Sequence, residues 1–535
     1  MEISHTPWFK RRPFLVVSGL LVLVLVLFTF LTAASFITSD VKTSGGLDPR
    51  IVKIMNSPPY RYGEWGLLET DPATGRVVQS LAPAQRLFVQ GSTTKLFSVS
   101  SALDDLGFDH HFTTPIYSLG QRSNGSLNGT LVLVAQGDLT MGGRTRPDGT
   151  VDFTDLDHSD ASDFLQGATL TPENPLAGLN QLAQQVRASG ITRVNGDVVI
   201  DDRLFLPDPD LDARTNPMII NDNLIDVVVT PGQVGAGPGS VTWRPQVAPF
   251  HLDVHVKTTA AGQPTALTVK PFPDGRVLVS GTIAANAGQQ VRVGEIPDPS
   301  AFARSALIEA LGRAGVSVSA AATGPNPVAK LPSNRTYQGD PRVAAYMSPP
   351  FSEYTKLIFK ISSNLGADLT LCLMAAKAGS TNCNDGFPVL ASFLMKAHVD
   401  HSQVVLLDVH GGPTDRFTPQ AVTDLLRYWT RRPEFARFRQ MLPSLGEHGN
   451  LSGICTNCPA RNKVFAKPGT AAVVDVFNKR LFLAEALGGY LEVKPGQFYI
   501  FDVVVNNAVI PFTGILSVFN DLGNISAILQ ENGTT

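Results

Sequence analysis

Three short polar signals stand in a fixed order along the chain, and the distances between them restrict the fold more than composition does. Ser92-Thr93-Thr94-Lys95 comes first, Ser362-Ser363-Asn364 second and Lys467-Pro468-Gly469-Thr470 third. Together they supply a nucleophile with its lysine, a second serine with an amide, and a cation beside a backbone donor. From 92 to 362 is 270 residues, and from 362 to 467 is 105. A single site built from all three needs a chain that leaves the first signal, builds something else and returns. None is specific alone, since Ser-x-Asn recurs at Ser126-Leu127-Asn128 and Ser380-Thr381-Asn382, and Lys-Pro-Gly at Lys494-Pro495-Gly496. Order and local context decide.

Context favours the first copies. Leu96, Val99, Leu103 and Leu106 recur at helical spacing and Gly107 ends the pattern, so a helix opens near Ser92. Residues three apart share a helix face, which lets the Lys95 amine approach the Ser92 hydroxyl. Lys95 also lies on the apolar stripe, where partial desolvation lowers a lysine pKa toward that of a useful base. The helix N-terminus favours negative charge developing at Ser92. The plainer alternative is an N-cap serine with a snorkelling lysine.

Ser362 and Asn364 fall in a polar cluster between two apolar helical patterns, where a loop can aim them into a cleft; an N-cap or serine turn is the plainer alternative. The decoys Ser126 and Ser380 sit in Gly-bearing turns. Lys494-Pro495-Gly496 joins two strand-like runs and fits a type II hairpin turn. Lys467 instead follows the strand-like Lys463-Val464-Phe465-Ala466. There Lys467 can bind an anion, Gly469 allows close backbone approach, and the Thr470 N–H can serve an oxyanion, with a turn as the competing reading.

The chain has 535 residues, 43% hydrophobic and 17% charged, enough for two or three domains. A net charge of -3 without a basic, aromatic-interleaved run argues against nucleic acid as a partner. Lys10-Arg11-Arg12 precedes an uncharged apolar stretch from Phe14 to Ile37, 24 residues counted inclusively. At about 1.5 Å per residue it spans a bilayer core of roughly 30 Å. An uncleaved anchor with a cytoplasmic cationic flank is favoured over a signal peptide cleaved after Ala34. Either way Asp40 onward is exported. The four cysteines, Cys372, Cys383, Cys455 and Cys458, suit two disulfides in an oxidising compartment, with local pairing preferred among three connectivities. A four-thiolate zinc site is the sharper alternative, weakened because Cys372 and Cys383 form no second knuckle. A thioredoxin-like role for Cys455-Thr456-Asn457-Cys458 lacks its β-α context.

Between about Thr113 and Leu331, short apolar runs separated by Gly, Pro, Asn and Asp suggest a β-rich insertion without βαβ repeats. Helical patterns return over Ala301–Gly315, Phe351–Ala376 and Pro419–Trp429. A hairpin is expected over Gly489–Asn506 and a final helix within Val509–Leu529.

In order and spacing the three signals resemble the class C low-molecular-mass penicillin-binding proteins, the D-alanyl-D-alanine carboxypeptidase and endopeptidase family with extra domains between its first two motifs. Leu131–Asp138, Gly190–Val198 with Asp201-Asp202, Ser348-Pro349-Pro350, Met441-Leu442-Pro443 and Gly489-Tyr490 also look like that family. The resemblance implies an α/β fold: a penicillin-recognising, β-lactamase-like catalytic domain (antiparallel sheet with helices), residues 48–112 and 332–535, split by inserted β-rich domains over 113–331, with 1–40 as anchor or signal. It implies that Ser92 is acylated, Lys95 is its base, Ser362 and Asn364 form the second element, and Lys467, Gly469 and Thr470 form the wall that receives the substrate carboxylate. The implied activity is a serine-type DD-peptidase in the cell envelope that acts on peptidoglycan stem peptides, binds β-lactams covalently and needs no metal or other cofactor. A β-lactamase or esterase on the same scaffold and a non-catalytic cell-wall binding module are the alternatives. Two departures from the family stand out. Pro468 replaces the usual Thr or Ser, tolerable on an edge strand. Asp408-Val409-His410-Gly411-Gly412 stands where a Gly-Ser-Gly version is common, with His410 expected in a surface loop rather than as a tuned acid or base.

Overall fold

Strands from the two ends of the chain share one sheet. The computed structural model describes residues 46–81, 85–161, 166–477, 480–511 and 514–534. Strands β1 (Glu64–Thr70), β2 (Val77–Leu81), β3 (Val464–Val474), β4 (Arg480–Lys494) and β5 (Gln497–Pro511) lie in the order β3-β4-β5-β1-β2, antiparallel throughout. The register of β1 on β5 runs from Glu64↔Asn506 to Thr70↔Ile500. The stretch Phe14–Ile37, and the anchor expected there, lies outside the described residues. Among those residues no helix is long and apolar enough to cross a membrane.

Both faces of this sheet are covered, so β1 and β5 carry unbroken buried runs instead of an in-out alternation. On one face α1 (Pro49–Met55) and the C-terminal α6 (Ile515–Gly533) close a core with Leu67, Phe501, Val503 and Leu522. On the other lie α2 (Lys95–Leu106), α3 (Phe351–Ile361), α4 (Asn364–Lys377) and α5 (Pro419–Thr430), around Leu96, Leu357, Leu369 and Trp429. The expected helix from Val509 begins later. Val509 to Pro511 pair with Phe482 to Arg480, so ladder hydrogen bonds take these residues before the helix starts.

Local expectations are mostly met. Lys494 faces Gln497 across Pro495-Gly496, and Gly496 has φ +75°, the conformation a type II turn needs at that position. Cys372 pairs with Cys383, tying α4 to the turn that follows it, and Cys455 pairs with Cys458. The zinc reading is therefore set aside.

The chain between α2 and α3 builds sheets and a core of its own. A six-stranded sheet contains Thr113–Ser123, Ser126–Val134, Arg193–Val194, Val198–Asp201, Ser317–Val318 and Arg342–Met347, the last beyond the Leu331 boundary drawn from sequence. Two three-stranded sheets lie between Leu224 and Glu295. Strands predominate, with one departure from expectation. Ser126–Val134 is parallel to Val198–Asp201, and the helix Ala177–Ala188 makes the crossover between them. That helix buries Leu179, Leu182, Ala183 and Val186, a helical stripe diluted in the sequence by Gly178 and three glutamines.

Candidate active site

The three signals meet where the helical layer abuts the edge strand β3. Ser92 lies in a 3-10 turn, Gly91–Thr94, that leads directly into α2. Lys95 opens the helix and points back toward it, donating from Nζ to Ser92 Oγ at 2.9 Å. The same amine donates to Asn364 Oδ1 at 2.7 Å and to the His410 carbonyl at 2.7 Å. The first signal and the asparagine of the second are thus joined through one nitrogen.

That environment dictates what the amine can do. Lys95 is fully buried, and burial lowers its pKa to about 8, with Asp368 and Asp408 opposing the shift. A neutral amine has two N–H bonds and one lone pair. Asn364 Oδ1 and the His410 carbonyl are acceptors and take the two hydrogens, which leaves the lone pair for the Ser92 hydroxyl. The ammonium donates to all three partners, whereas the neutral amine keeps the two acceptor bonds and turns its lone pair to Ser92 Oγ.

The second signal is made by a helix break. Ser362 ends α3 with φ 61° and ψ 32°, a left-handed conformation that costs a non-glycine residue about 1–3 kcal/mol. Ser363 then caps α4 by accepting from Gly366 N at 3.0 Å. The sharp turn sends the Ser362 hydroxyl to Lys467 Nζ, at 2.8 Å, while Asn364 reaches Lys95. Lys467 is also buried and donates to the Pro468 carbonyl at 2.7 Å. Burial, then the charge of Lys95, push its pKa well below the usual lysine range.

The third signal lies on β3, the sheet edge facing the Ser92 turn. Gly469 is required by contact: a Cβ there would sit 2.0 Å from the Gln90 carbonyl oxygen and 2.6 Å from Thr93 N. A Cβ on Gly91 would meet the Thr470 backbone N at 2.7 Å, so the Thr470 amide lies beside the Ser92 turn. The Thr470 hydroxyl is turned away from the expected carboxylate-binding role and donates to Glu485 at 2.8 Å. Pro468 sits opposite Leu487 without interrupting the ladder.

His410 lies in a loop, as expected, but its ring and carbonyl face the site. It is half-buried, its carbonyl holds Lys95, and its Nδ1 lies 2.8 Å from Asp368 Oδ1. Sequence reasoning missed Asp368 and Glu485. Asp368 is four residues after Asn364, hence on the same face of α4, and Glu485 is a lone carboxyl inside the apolar run Leu481–Leu487; both signals were available. Burial raises the pKa of Glu485 well above the carboxylate range, against the Thr470 hydrogen bond and Lys467.

Among the described residues, ligand atoms of Asp157, His158 and Asp222 converge closely enough for a metal ion. Arg144 already supplies positive charge there, at 2.8 Å from Asp157 and 2.6 Å from Asp222, and His158 Nδ1 lies 2.6 Å from Asp226. Burial disfavours the imidazolium, but Asp226 and Asp157 outweigh it and raise His158 to about 10. The group is a closed ion network.

Residues 50–514 match the D-Ala-D-Ala carboxypeptidase 3 (S13) family. The chain is 25% identical over 480 residues to a D-alanyl-D-alanine carboxypeptidase of an Actinomadura species, covering 85% of this chain and 79% of that one. Its fold is similar to the crystal structure of penicillin binding protein 4 from Haemophilus influenzae, with a TM-score of 0.66 at 18% identity over 91% of this chain and 99% of that one. A structure of the same protein complexed with a β-lactam gives 0.64 at 18% identity, over 90% and 99%.

Proposed function

Because the chain belongs to the D-Ala-D-Ala carboxypeptidase 3 (S13) family, we propose that it is a serine-type DD-carboxypeptidase that trims peptidoglycan stem peptides and is acylated by β-lactams at Ser92. The observation that carries the reading is the position of Lys95 Nζ, hydrogen-bonded to Ser92 Oγ and to two pure acceptors.

In this mechanism Ser92 Oγ attacks the carbonyl carbon of the penultimate D-alanine as its proton passes to Lys95. The carbonyl oxygen gains negative charge beside the backbone amides of Ser92 and Thr470. Lys467 and Ser362 supply a proton to the departing amine, and D-alanine leaves. The substrate carboxylate, drawn toward Lys467, favours the ammonium form that burial suppresses. Water then attacks the ester carbonyl and gives its proton to Lys467, while Lys95 returns its proton to the Ser92 oxygen as the ester C–O bond breaks and the shortened peptide leaves as its carboxylic acid. We extend the reading to endopeptidase cleavage of cross-links, in which the leaving amine belongs to a neighbouring stem peptide.

The same proposal places the enzyme in the cell envelope, with the catalytic region outside the cytoplasm and anchored by Phe14–Ile37. The cationic flank and the two disulfides support it. It divides the exported chain into a catalytic unit, 48–112 and 332–535, and an insertion, 113–331, which has a core of its own; that core also takes in Val343, Ala344 and Tyr346, and Leu139, Val151, Phe205 and Ile219 of the insertion pack with the catalytic helices.

A fluorescent penicillin tests the acylation. Native protein is expected to give a covalent band that Ser92→Ala abolishes. A band of equal strength on Ser92→Ala would refute the assignment.

A further inference from the structure

Lys95 needs two fixed acceptors, and only one of them, Asn364, belongs to the three ordered signals. The other is the main-chain carbonyl of His410, in the segment that departs from the family's Gly-Ser-Gly version. Its neighbours are pinned on every side. Asp408 Oδ1 accepts from His410 N at 3.0 Å and Gly411 N at 2.7 Å, and its Oδ2 accepts from Gly412 N at 2.9 Å. Ser98, one turn along α2 from Lys95, donates its hydroxyl to the Val409 carbonyl at 2.7 Å. Gly411 packs so closely that a Cβ there would lie 2.0 Å from the Gly91 oxygen and 2.7 Å from Ser92 N.

The imidazole adds the final tie. Its Nδ1 lies 2.8 Å from Asp368 Oδ1, and the carboxylate, an acceptor, fixes the hydrogen on Nδ1. Asp368 is fully buried on α4, one turn beyond Asn364. Its second oxygen accepts the Asp212 N–H at 2.7 Å, from the long segment between the first two signals. One helix face therefore carries both controls on Lys95, directly through Asn364 and indirectly through Asp368 and His410.

We infer that Asp368 and His410 are positioning residues for the reaction. Asp368 holds the His410 ring, and the ring holds the His410 carbonyl on Lys95 Nζ, so that the lone pair of the amine stays aimed at Ser92. The inference rests on Ser92 being the acylated residue. Neither side chain touches substrate or reacting atoms in this account.

The charged groups facing the ring are Asp368 on α4, Asp408 in its own loop, Lys95 on α2 and Asp212 in the inserted segment. Burial disfavours its charged form and Lys95 adds to that, but the Asp368 bond and charge, with Asp408, outweigh both and raise its pKa. Asp368 is also the largest charge raising the pKa of Lys95.

The test is the second-order acylation rate with a chromogenic cephalosporin, measured from acid to alkaline pH in full-length His410→Ala, His410→Asn and Asp368→Asn, with Ser92→Ala as control. His410→Ala is expected to slow acylation about 10- to 100-fold, as a loss in the bond-forming step with little change in binding, because small displacements of a reacting group cost that much. His410→Asn, whose Nδ2 can replace Nδ1 as donor to Asp368, should recover most of the rate. Asp368→Asn removes the charge that supports the Lys95 ammonium, so its acid limb should move to lower pH while the maximal rate falls. The inference is overturned if His410→Ala acylates at the native rate, if His410→Asn is as slow as His410→Ala, or if the Asp368→Asn limb does not move. Should His410→Ala fail to fold, the other two variants decide. Labelling that persists in Ser92→Ala would instead refute the functional assignment itself.

Discussion

Thr470 on β3 faces Glu485 on β4, and its hydroxyl lies 2.8 and 2.9 Å from the two carboxyl oxygens. Glu485 is fully buried, and burial pushes its pKa well above the usual carboxylate range. The pair fixes the rotamer of the residue whose backbone amide borders the Ser92 turn. Glu485→Gln keeps an acceptor and should retain most of the acylation rate. Glu485→Ala frees the Thr470 side chain and opens a cavity; a lost hydrogen bond of about 1 kcal/mol predicts a rate about fivefold lower. Stopped-flow acylation of both variants measures the difference.

The pH dependence of acylation should follow Lys95. Its pKa is lowered to about 8, so below that pH the amine holds a proton and cannot accept the one on Ser92. The second-order rate should fall about tenfold per pH unit below this limb and level off above it. Lys95→Ala should lose about 10²- to 10⁴-fold at the plateau, the usual contribution of a general base. A rate profile over pH 6–10 provides the check.

Ser362 joins strain to function. Its left-handed conformation suits glycine, so Ser362→Gly should leave the protein as stable or up to about 1 kcal/mol more so. The same change deletes the hydroxyl that meets Lys467 and should slow D-alanine release. Thermal unfolding alongside a D-alanine assay reads the two effects, which are expected to run in opposite directions.

Stability should decline between about pH 4 and pH 8 because of two buried carboxyls in the central sheet. Burial raises Glu69 on β1 and Asp502 on β5 to about 8, opposed by Arg76 and Gln90 respectively. Both are protonated in the folded protein and ionise near 4 when unfolded. Their stabilising contribution is therefore complete below about pH 4 and is lost as pH rises through about 8. Glu69→Gln and Asp502→Asn should flatten this loss between pH 5 and 8. Melting temperature against pH, with the variants compared at each pH, is the measurement.

The sequence disclosed what depended on short-range geometry. Ser92 and Lys95 were legible because three residues make one helical turn, and Lys494 was separated from Lys467 by its Pro-Gly turn between strand-like runs. The disulfides followed local spacing. What was hidden depended on return contacts. The His410 carbonyl meets Lys95 across 315 residues, and no side-chain pattern announces a main-chain acceptor. Helix Ala177–Ala188 was obscured because its glycine and glutamines thin the apolar stripe, and its burial comes from the sheet beneath. The helix expected within Val509–Leu529 starts only at Ile515, because ladder pairing holds Val509 to Pro511 in β5.

The central claim is that Lys95 activates Ser92 for acyl transfer. Intact-mass measurement after penicillin treatment, paired with D-alanine release from a pentapeptide muropeptide, tests it most directly. The account predicts one penicilloyl adduct on Ser92 in the native protein, none in Ser92→Ala, and D-alanine release that disappears with the adduct. D-Alanine release that persists in Ser92→Ala, or an adduct on another residue of the native protein, would contradict it.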